Sequence, residues 1–408
     1  RFSFGQPPPR PLAAPAMKPS LRLTVLPLLL LTSAAAAADW PRWLGPGGSN
    51  RVQDPAFQPD LEKYHPAWQA KVGRGYAAVS VADGRAFAMG HDGEGAETVF
   101  CFDAATGKEL WKVAYAAELL PRMHTGGPNA SPAVVGDRVF TLSKDGQLLC
   151  LAAATGAKVW EARLPEVLGV PVPQWGFASS PLVDGGQLLV SAGKVAALDP
   201  ATGRTLWVSP DNHPPAYATP VAFTLGGERF IAAMNGKGLS VLNTKDGAEV
   251  AHRPMKAQFD LLAPTPFVLD GGRRIFISGN ASSELLAFDG RSLAPVWTST
   301  ELKNALNNSV VADGVIYGID GRQGTPACRL VALNLADGAV LWQRDSFGYG
   351  TTIGVSDTLL ALTENGELVS ARLSRAGHEE LGRQQILGRA CWTTPTVAGG
   401  RTYARNDQ

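Results

Sequence analysis

The feature that most limits the fold is a phrase that recurs along the chain. "DAATGKELW" ends at Trp111, "AAATGAKVW" at Trp160, "DPATGRTLW" at Trp207 and "NLADGAVLW" at Trp342. Each joins a polar turn to a tryptophan four places past a glycine: Gly107, Gly156, Gly203 and Gly338. "NTKDGAEVA" puts Ala251 at the equivalent position, "DGRSLAPVW" puts Trp297 there with its glycine displaced, and "LSRAGHEEL" puts Leu381. Trp68 in "HPAWQAKVG" precedes them without the turn. These anchors recur every ~45 residues, the length of one propeller blade.

Within one period the pattern is consistent. "ASPAVVGDRVFTLSKDGQLLCLAAATGAKVWEARL" has a Ser-Pro start, then "AVV", "RVFTLS", "QLLCLA" and "KVWEAR", divided by Gly-Asp, Lys-Asp-Gly and Thr-Gly turns. Short β-rich runs between hairpin signals, with no helical stretch among them, predict four antiparallel strands per unit. Such units repeated radially are a β-propeller. Residues 67–72, "AWQAKV", read as a last strand without earlier ones, and residues 393–408 as first strands without later ones. Joined, they complete a composite blade and remove open sheet edges. The expectation is an all-β, eight-bladed propeller over 67–408, closed by strands from both termini, its last blade truncated by one strand.

The repeated turn has two readings. A phosphate cradle needs a helix N-terminus or clustered N–H groups after the glycine, and here a strand follows. The structural reading asks only that glycine supply a positive φ and that Thr or Asp bond nearby backbone N–H groups. The tryptophan then covers the seam to the next blade, its indole N–H seeking a partner in a neighbouring turn. Trp68, Gly107, Trp111, Gly156, Trp160, Gly203, Trp207, Trp297, Gly338 and Trp342 are read as blade-docking residues on this basis.

Composition narrows the functional classes. Charged residues are 18% of the chain and the formal net charge is +1. With no basic run interleaved with aromatics, nucleic acid is excluded as a partner. Residues 17–38 begin Met17-Lys18, run apolar from Leu23 to Leu31, and end in small residues, the layout of a secretory signal peptide. The apolar run is too short for a transmembrane span. Residues 1–16 read as an upstream tail outside the native protein. The expectation is a periplasmic or extracellular monomer with no transmembrane span after signal cleavage. No cysteine follows the run to carry a lipid. Cys101, Cys150, Cys328 and Cys391 form no Cys-x-x-Cys motif and read as free, buried apolar residues. Residues 39–66, with Trp40 and Trp43, read as an irregular Trp/Pro/Gly-rich arm that packs over one face or gates the channel.

"CFDAATGKELW" and "ALDPATGRTLW" resemble the tryptophan-docking motif of the PQQ-like (quinoprotein-like) eight-bladed propellers, and "DWPRWLGPGGSN" resembles an opening found in secreted bacterial members. The resemblance covers about residues 67–408. It implies one of two functions. One branch holds PQQ-dependent alcohol and sugar dehydrogenases, with a calcium or lanthanide site of Glu, Asn and Asp and, in alcohol-oxidising members, a vicinal Cys-Cys ring. The other holds non-catalytic propellers of the outer-membrane assembly factor B type, which present surfaces to partner proteins. This chain has no adjacent cysteines and no haem-attachment motif. The expectation is therefore a non-catalytic binding or protein-interaction scaffold of the cell envelope, without catalytic residues, metal or cofactor. The alternative is a quinoprotein oxidoreductase using PQQ with calcium.

Ligands of a propeller sit at the channel mouth, where the innermost strands begin. Aligning "GYAAV", "PNASP", "FASSP", "AYATP", "LAPTP", "LNNSV", "YGTTI" and "CWTTP" puts Tyr76, Asn129, Tyr217, Asn307 and Trp392 in a non-repeating ring, with His124, Trp175 and Tyr349 beside it. Aromatic faces with amide donors suit a protein segment, a glycan or another small molecule. The competing reading is that such residues plug the channel and satisfy strand ends. His124 reads either as a base or ligand, or as a hydrogen-bonded loop histidine.

Overall fold

The β-rich runs pair as their turns dictate. In the computed structural model, which describes residues 9, 38–122, 124–211 and 213–408, the second repeat forms strands Ala133–Val135, Arg138–Leu142, Gln147–Ala152 and Lys158–Arg163. Each pairs antiparallel with the next. Six four-stranded sheets share this plan, over residues 80–116, 133–163, 182–208, 221–254, 267–299 and 310–344 (sheets 1 to 6). Sheet 7, over 350–385, adds a fifth strand, Arg51–Val52, parallel to Gly350–Val355. A two-stranded hairpin, Thr396–Ala398 and Arg401–Tyr403, follows. The signal-peptide and upstream-tail readings, 17–38 and 1–16, lie outside the described residues except at positions 9 and 38. Among the described residues no helix is long and apolar enough to cross a membrane.

The middle strands are buried almost throughout, and successive side chains fill the spaces on opposite sides of each sheet. Phe140, Leu148 and Cys150 of sheet 2 pack with Leu188, Val190 and Ala196 of sheet 3. Phe230 and Met234 of sheet 4 pack with Ile275 and Phe288 of sheet 5. Val397 of the hairpin joins Leu360 and Leu362 of sheet 7, while Ala398 and Tyr403 join Ala86 and Phe102 of sheet 1. All four cysteines are free and buried. Cys101 and Cys150 lie directly across from Trp111 and Trp160, at equivalent places in their sheets.

The tryptophans of the repeat each donate their indole N–H to a backbone carbonyl. The indole N–H of Trp111 donates to the Ala153 carbonyl of the next sheet at 3.0 Å. Trp160 donates to Pro200, Trp207 to Thr244, Trp297 to Leu335 and Trp342 to Ser374. Trp68 donates to Ala104. Gly107 shows why the turn needs glycine: its φ is +71°, and an added Cβ would lie 2.5 Å from the Trp68 ring. Asp103 tightens the same turn by accepting from the backbone N–H groups of Ala105 and Thr106 and from the Thr106 hydroxyl.

One strand expected from the sequence does not form. Residues 67–72 carry no ladder. The hairpin 396–403 has two strands, so the "AWQAKV" segment has no third strand beside it to pair with. Trp68 still docks, 6.0 Å from the Tyr403 ring.

The Ser/Thr-Pro phrases at strand starts also have a structural use. The Ser131 hydroxyl accepts from Ala78 N–H, Ser180 from Ser131 N–H, and Thr219 from Ser180 N–H. The Asn308 side-chain oxygen accepts from Thr265 N–H. The hydroxyls of Thr393 and Thr396 donate to the Tyr76 and Val79 carbonyls. This belt satisfies backbone groups at the starts of the first strands, where no ladder reaches them.

The arm lies along these first strands. Trp40 bridges Val81, and the Pro41 carbonyl accepts from Val134 N–H. The Trp43 indole donates to the Thr265 hydroxyl. The Asn50 amide donates to the Ser309 and Thr352 carbonyls. A cleft of about 270 Å³ opens beside the arm, lined by Gly47, Gly48, Val221, Phe223, Phe267 and Val311 among others.

Candidate functional site

At the starts of the first strands, four rings stand in a row contributed by four separate segments. Trp392 stacks on Tyr76 with centroids 5.4 Å apart and an interplanar angle of 18°. Tyr76 meets His124 edge-on at 5.6 Å. His124 lies 6.3 Å from Trp175. All four are half-buried. Tyr76 is fixed by a hydrogen bond between its hydroxyl and that of Thr125, and Thr125 in turn donates to Asp407. Trp392 donates to Glu364 at 3.2 Å. The indole N–H of Trp175 is buried and has no hydrogen-bond partner among the described residues.

Beneath this row lies a buried ionisable cluster that the sequence alignment does not flag. Lys144 and Glu97 are fully buried. Lys144 Nζ sits 3.1 Å from His124 Nε2. The Lys144 backbone N–H points to Glu97 Oε1 at 3.4 Å, and the Tyr115 hydroxyl donates to Glu97 Oε2 at 3.0 Å. Burial pushes the Glu97 carboxyl up to about 7. Burial pulls the Lys144 ammonium down to about 8, against the opposing charge of Glu97. His124 falls to about 4, through burial and then the Lys144 charge. It is therefore neutral at physiological pH, with Nδ1 accepting the Gly126 backbone N–H at 3.0 Å. "SKDG" in the hairpin of sheet 2 carries Lys144, and Gly176 makes room for it: a Cβ there would lie 2.2 Å from Lys144 Cγ.

The other ring positions are placed differently. Asn129 is half-buried at the lead-in to sheet 2, and Tyr217 is half-buried at the lead-in to sheet 4, its N–H on the Leu262 carbonyl. Asn307 is buried, its amide donating to the Ile319 and Gly350 carbonyls and its oxygen accepting from Asn304. Tyr349 is 1% exposed and belongs to the core between sheets 6 and 7. The structure brings together Tyr76, His124, Trp175 and Trp392 and spends Asn307 and Tyr349 on packing and backbone. Strand-start alignment finds the position but not its depth: Asn307 shares the aligned position of Tyr76 and Trp392 yet is buried, and Tyr349 stands one residue before that position.

The donors at this mouth do not fit PQQ with calcium. Glu364 already receives Gly324 N–H at 3.1 Å and the Trp392 indole. Asn307 is consumed internally. Among the described residues, the Glu, Asn and Asp set that the quinoprotein branch uses for its cation does not converge here.

Residues 95–344 match the family described as outer membrane protein assembly factor BamB. The chain belongs to this BamB-like family of PQQ-like propellers. BamB of Burkholderia pseudomallei is 25% identical over 86% of this chain and 88% of its own. A quinohemoprotein alcohol dehydrogenase of Pseudomonas putida, ADH IIB, is 30% identical over a shorter stretch, 27% of this chain and 17% of that one. The crystal structure of BamB from Moraxella catarrhalis superposes with a TM-score of 0.57 at 19% identity, covering 81% of this chain and 91% of that chain. The quinohemoprotein alcohol dehydrogenase of Comamonas testosteroni gives 0.64 at 13% identity, covering 88% and 74%. At such identities the structural likeness establishes the fold alone.

Proposed function

We propose that this chain is an exported, non-catalytic propeller that binds a partner protein in the cell envelope through the ring row at its channel mouth. The observation that carries this reading is the Trp175 indole N–H, buried without an acceptor among the described residues beside three other half-buried rings. Leaving a buried donor unpaired costs about 1–3 kcal/mol, which an incoming carbonyl oxygen relieves. Aromatic faces around such a donor suit an extended peptide segment. The BamB-like relatives carry the name of an outer membrane protein assembly factor, and the same kind of role is the natural extension to this chain.

The reading includes an eight-bladed ring closed by both chain ends. The hairpin packs against sheets 1 and 7, Trp68 docks beside Tyr403, and buried Arg405 donates to the Gly73 and Met89 carbonyls. These contacts support closure.

A photo-crosslinking residue at position 175, compared with one at exposed Val159, tests the role. Crosslinking to one envelope protein from 175 alone, abolished by Y76A/W392A, supports it. A rise in melting temperature with PQQ and calcium, together with dye-linked alcohol oxidation, overturns it in favour of an oxidoreductase.

A further inference from the structure

We propose that His213, Glu249 and His252 form a binding site for a divalent transition metal at the seam between sheets 3 and 4. The site is independent of the ring row and of the binding role argued for it. Glu249 and His252 lie on strand Glu249–Pro254, the outermost of sheet 4. In a regular strand, residues three apart face opposite ways. Here the register shifts between Val241 and Leu242, so that Leu242 faces Glu249 while Ser240 faces His252. This bulge turns both side chains to one face. His213 arrives on the connection that follows sheet 3 and stacks on His252, centroids 5.0 Å apart and planes 7° apart.

The donor atoms converge. Glu249 Oε2 lies 3.0 Å from His213 Nε2 and 3.6 Å from His252 Nδ1. One ligand atom from each residue lies within 4.8 Å of the others. A tetrahedral zinc with bonds of 2.0–2.1 Å separates its ligand atoms by about 3.3 Å, so the spacing suits the ion, and the two stacked rings must turn for their in-plane lone pairs to meet it. The Ser240 hydroxyl donates to Glu249 Oε2 at 2.5 Å and receives the Asn235 amide at 2.8 Å. A carboxylate oriented by such a relay is how metal sites hold their ligands. Two imidazoles and one carboxylate select zinc and its first-row neighbours over calcium or magnesium. The residues are half-buried, which leaves a path for the ion and a fourth position for water.

The equivalent strand positions elsewhere show what changed. The same bulge in sheets 1, 2 and 7 presents the pairs Glu109–Lys112, Lys158–Glu161 and Glu380–Arg383, each a surface ion pair. In sheet 4 the cation is replaced by an imidazole, and a second imidazole is supplied from the preceding connection.

The test is zinc titration of the chelator-stripped protein against a chromophoric competitor, with metal content by mass spectrometry. One zinc per chain is expected, with a rise in melting temperature. H213A and H252A should each weaken binding at least about 10-fold, while H65A at an exposed histidine should not change it. Cobalt(II) loaded into the unmutated protein should give ligand-field bands of a tetrahedral site, a readout that does not depend on variant folding. Absence of stoichiometric zinc, equal affinity for calcium, or zinc binding unchanged in both His variants would overturn the site.

Discussion

Trp111 and Trp175 are the same residue in opposite circumstances. At the outer seam, the Trp111 N–H meets the Ala153 carbonyl and its ring covers Gly156. At the mouth, the Trp175 N–H is buried and has no partner among the described residues. The first pattern repeats at five other tryptophans, and the second does not repeat. What recurs is satisfied internally and holds the sheets together. The Trp175 donor, which lies outside the repeat, keeps an unmet hydrogen bond among the described residues. One seam sharpens the point: sheet 4 has Ala251 where a docking tryptophan would stand, and the turn it faces, 289–292, is shorter than the turn 103–108. Ring and platform are absent together, and Phe223, Phe230 and Phe288 pack the gap.

The largest expected effect is at the repeating rim. Trp111→Ala removes a half-buried ring and strands the Ala153 carbonyl, and should cost about 3 kcal/mol in urea unfolding. Crosslinking from the mouth should be unchanged under conditions where the variant is folded. A loss of crosslinking without a loss of stability would erase the distinction between rim and mouth.

Next comes the cluster under the mouth. Folding raises the Glu97 carboxyl from 4.5 to about 7. Its stabilising contribution is therefore full below pH 4.5 and is lost as pH rises through 7. Glu97→Gln should remove a fall in stability on the order of 2 kcal/mol across that window. Lys144, lowered to about 8, works in the other sense, its penalty relieved only as pH rises beyond that value. Unfolding free energies of wild type and variant at matched pH and salt give the difference directly.

Glycine variants compare the sealed and unsealed seams. Gly156 has φ +73°, and a Cβ there would lie 2.6 Å from Trp111. Gly290 has φ +97°, with nothing within 4 Å of the same atom. Gly290→Ala should cost about 1 kcal/mol from backbone strain alone. Gly156→Ala should cost at least about 2 kcal/mol, since a ring must also move. Equal costs would mean that the tryptophan yields freely and does not lock the turn.

Much of this was legible in the sequence for a physical reason. "AVV", "RVFTLS", "QLLCLA" and "KVWEAR" form strands almost as written because hairpin turns fix local pairing and the two middle strands are buried on both faces. The indole acceptors follow from the period. The mouth was legible only as a place. Tyr76, His124, Trp175 and Trp392 come from segments far apart in the chain, and nothing local distinguishes them from Asn307 or Tyr349, which turn inward. Lys144 was hidden because its hairpin "SKDG" reads as an exposed turn, and only Gly176, on another segment, allows its burial. Glu249 and His252 meet through a bulge whose location depends on pairing, not on composition.

The smallest stability effect, and the sharpest comparison, belongs to Trp175→Phe. This change keeps an aromatic face beside His124 and removes the N–H. Because that donor is buried without a partner among the described residues, deleting it forfeits no bond to them in the free protein and removes a desolvation penalty. Against that stands a small loss of ring volume, so stability should stay within about 1 kcal/mol of wild type. The same change at Trp111 would strand a carbonyl that is now bonded, and should be the costlier of the two. Binding should behave in reverse: Trp175→Phe should lower crosslinking yield from a neighbouring mouth position, and Trp111→Phe should leave it unchanged. If Trp175→Phe destabilises the fold as much as Trp111→Phe does, the mouth tryptophan is another docking residue, and the unmet hydrogen bond is no sign of a partner.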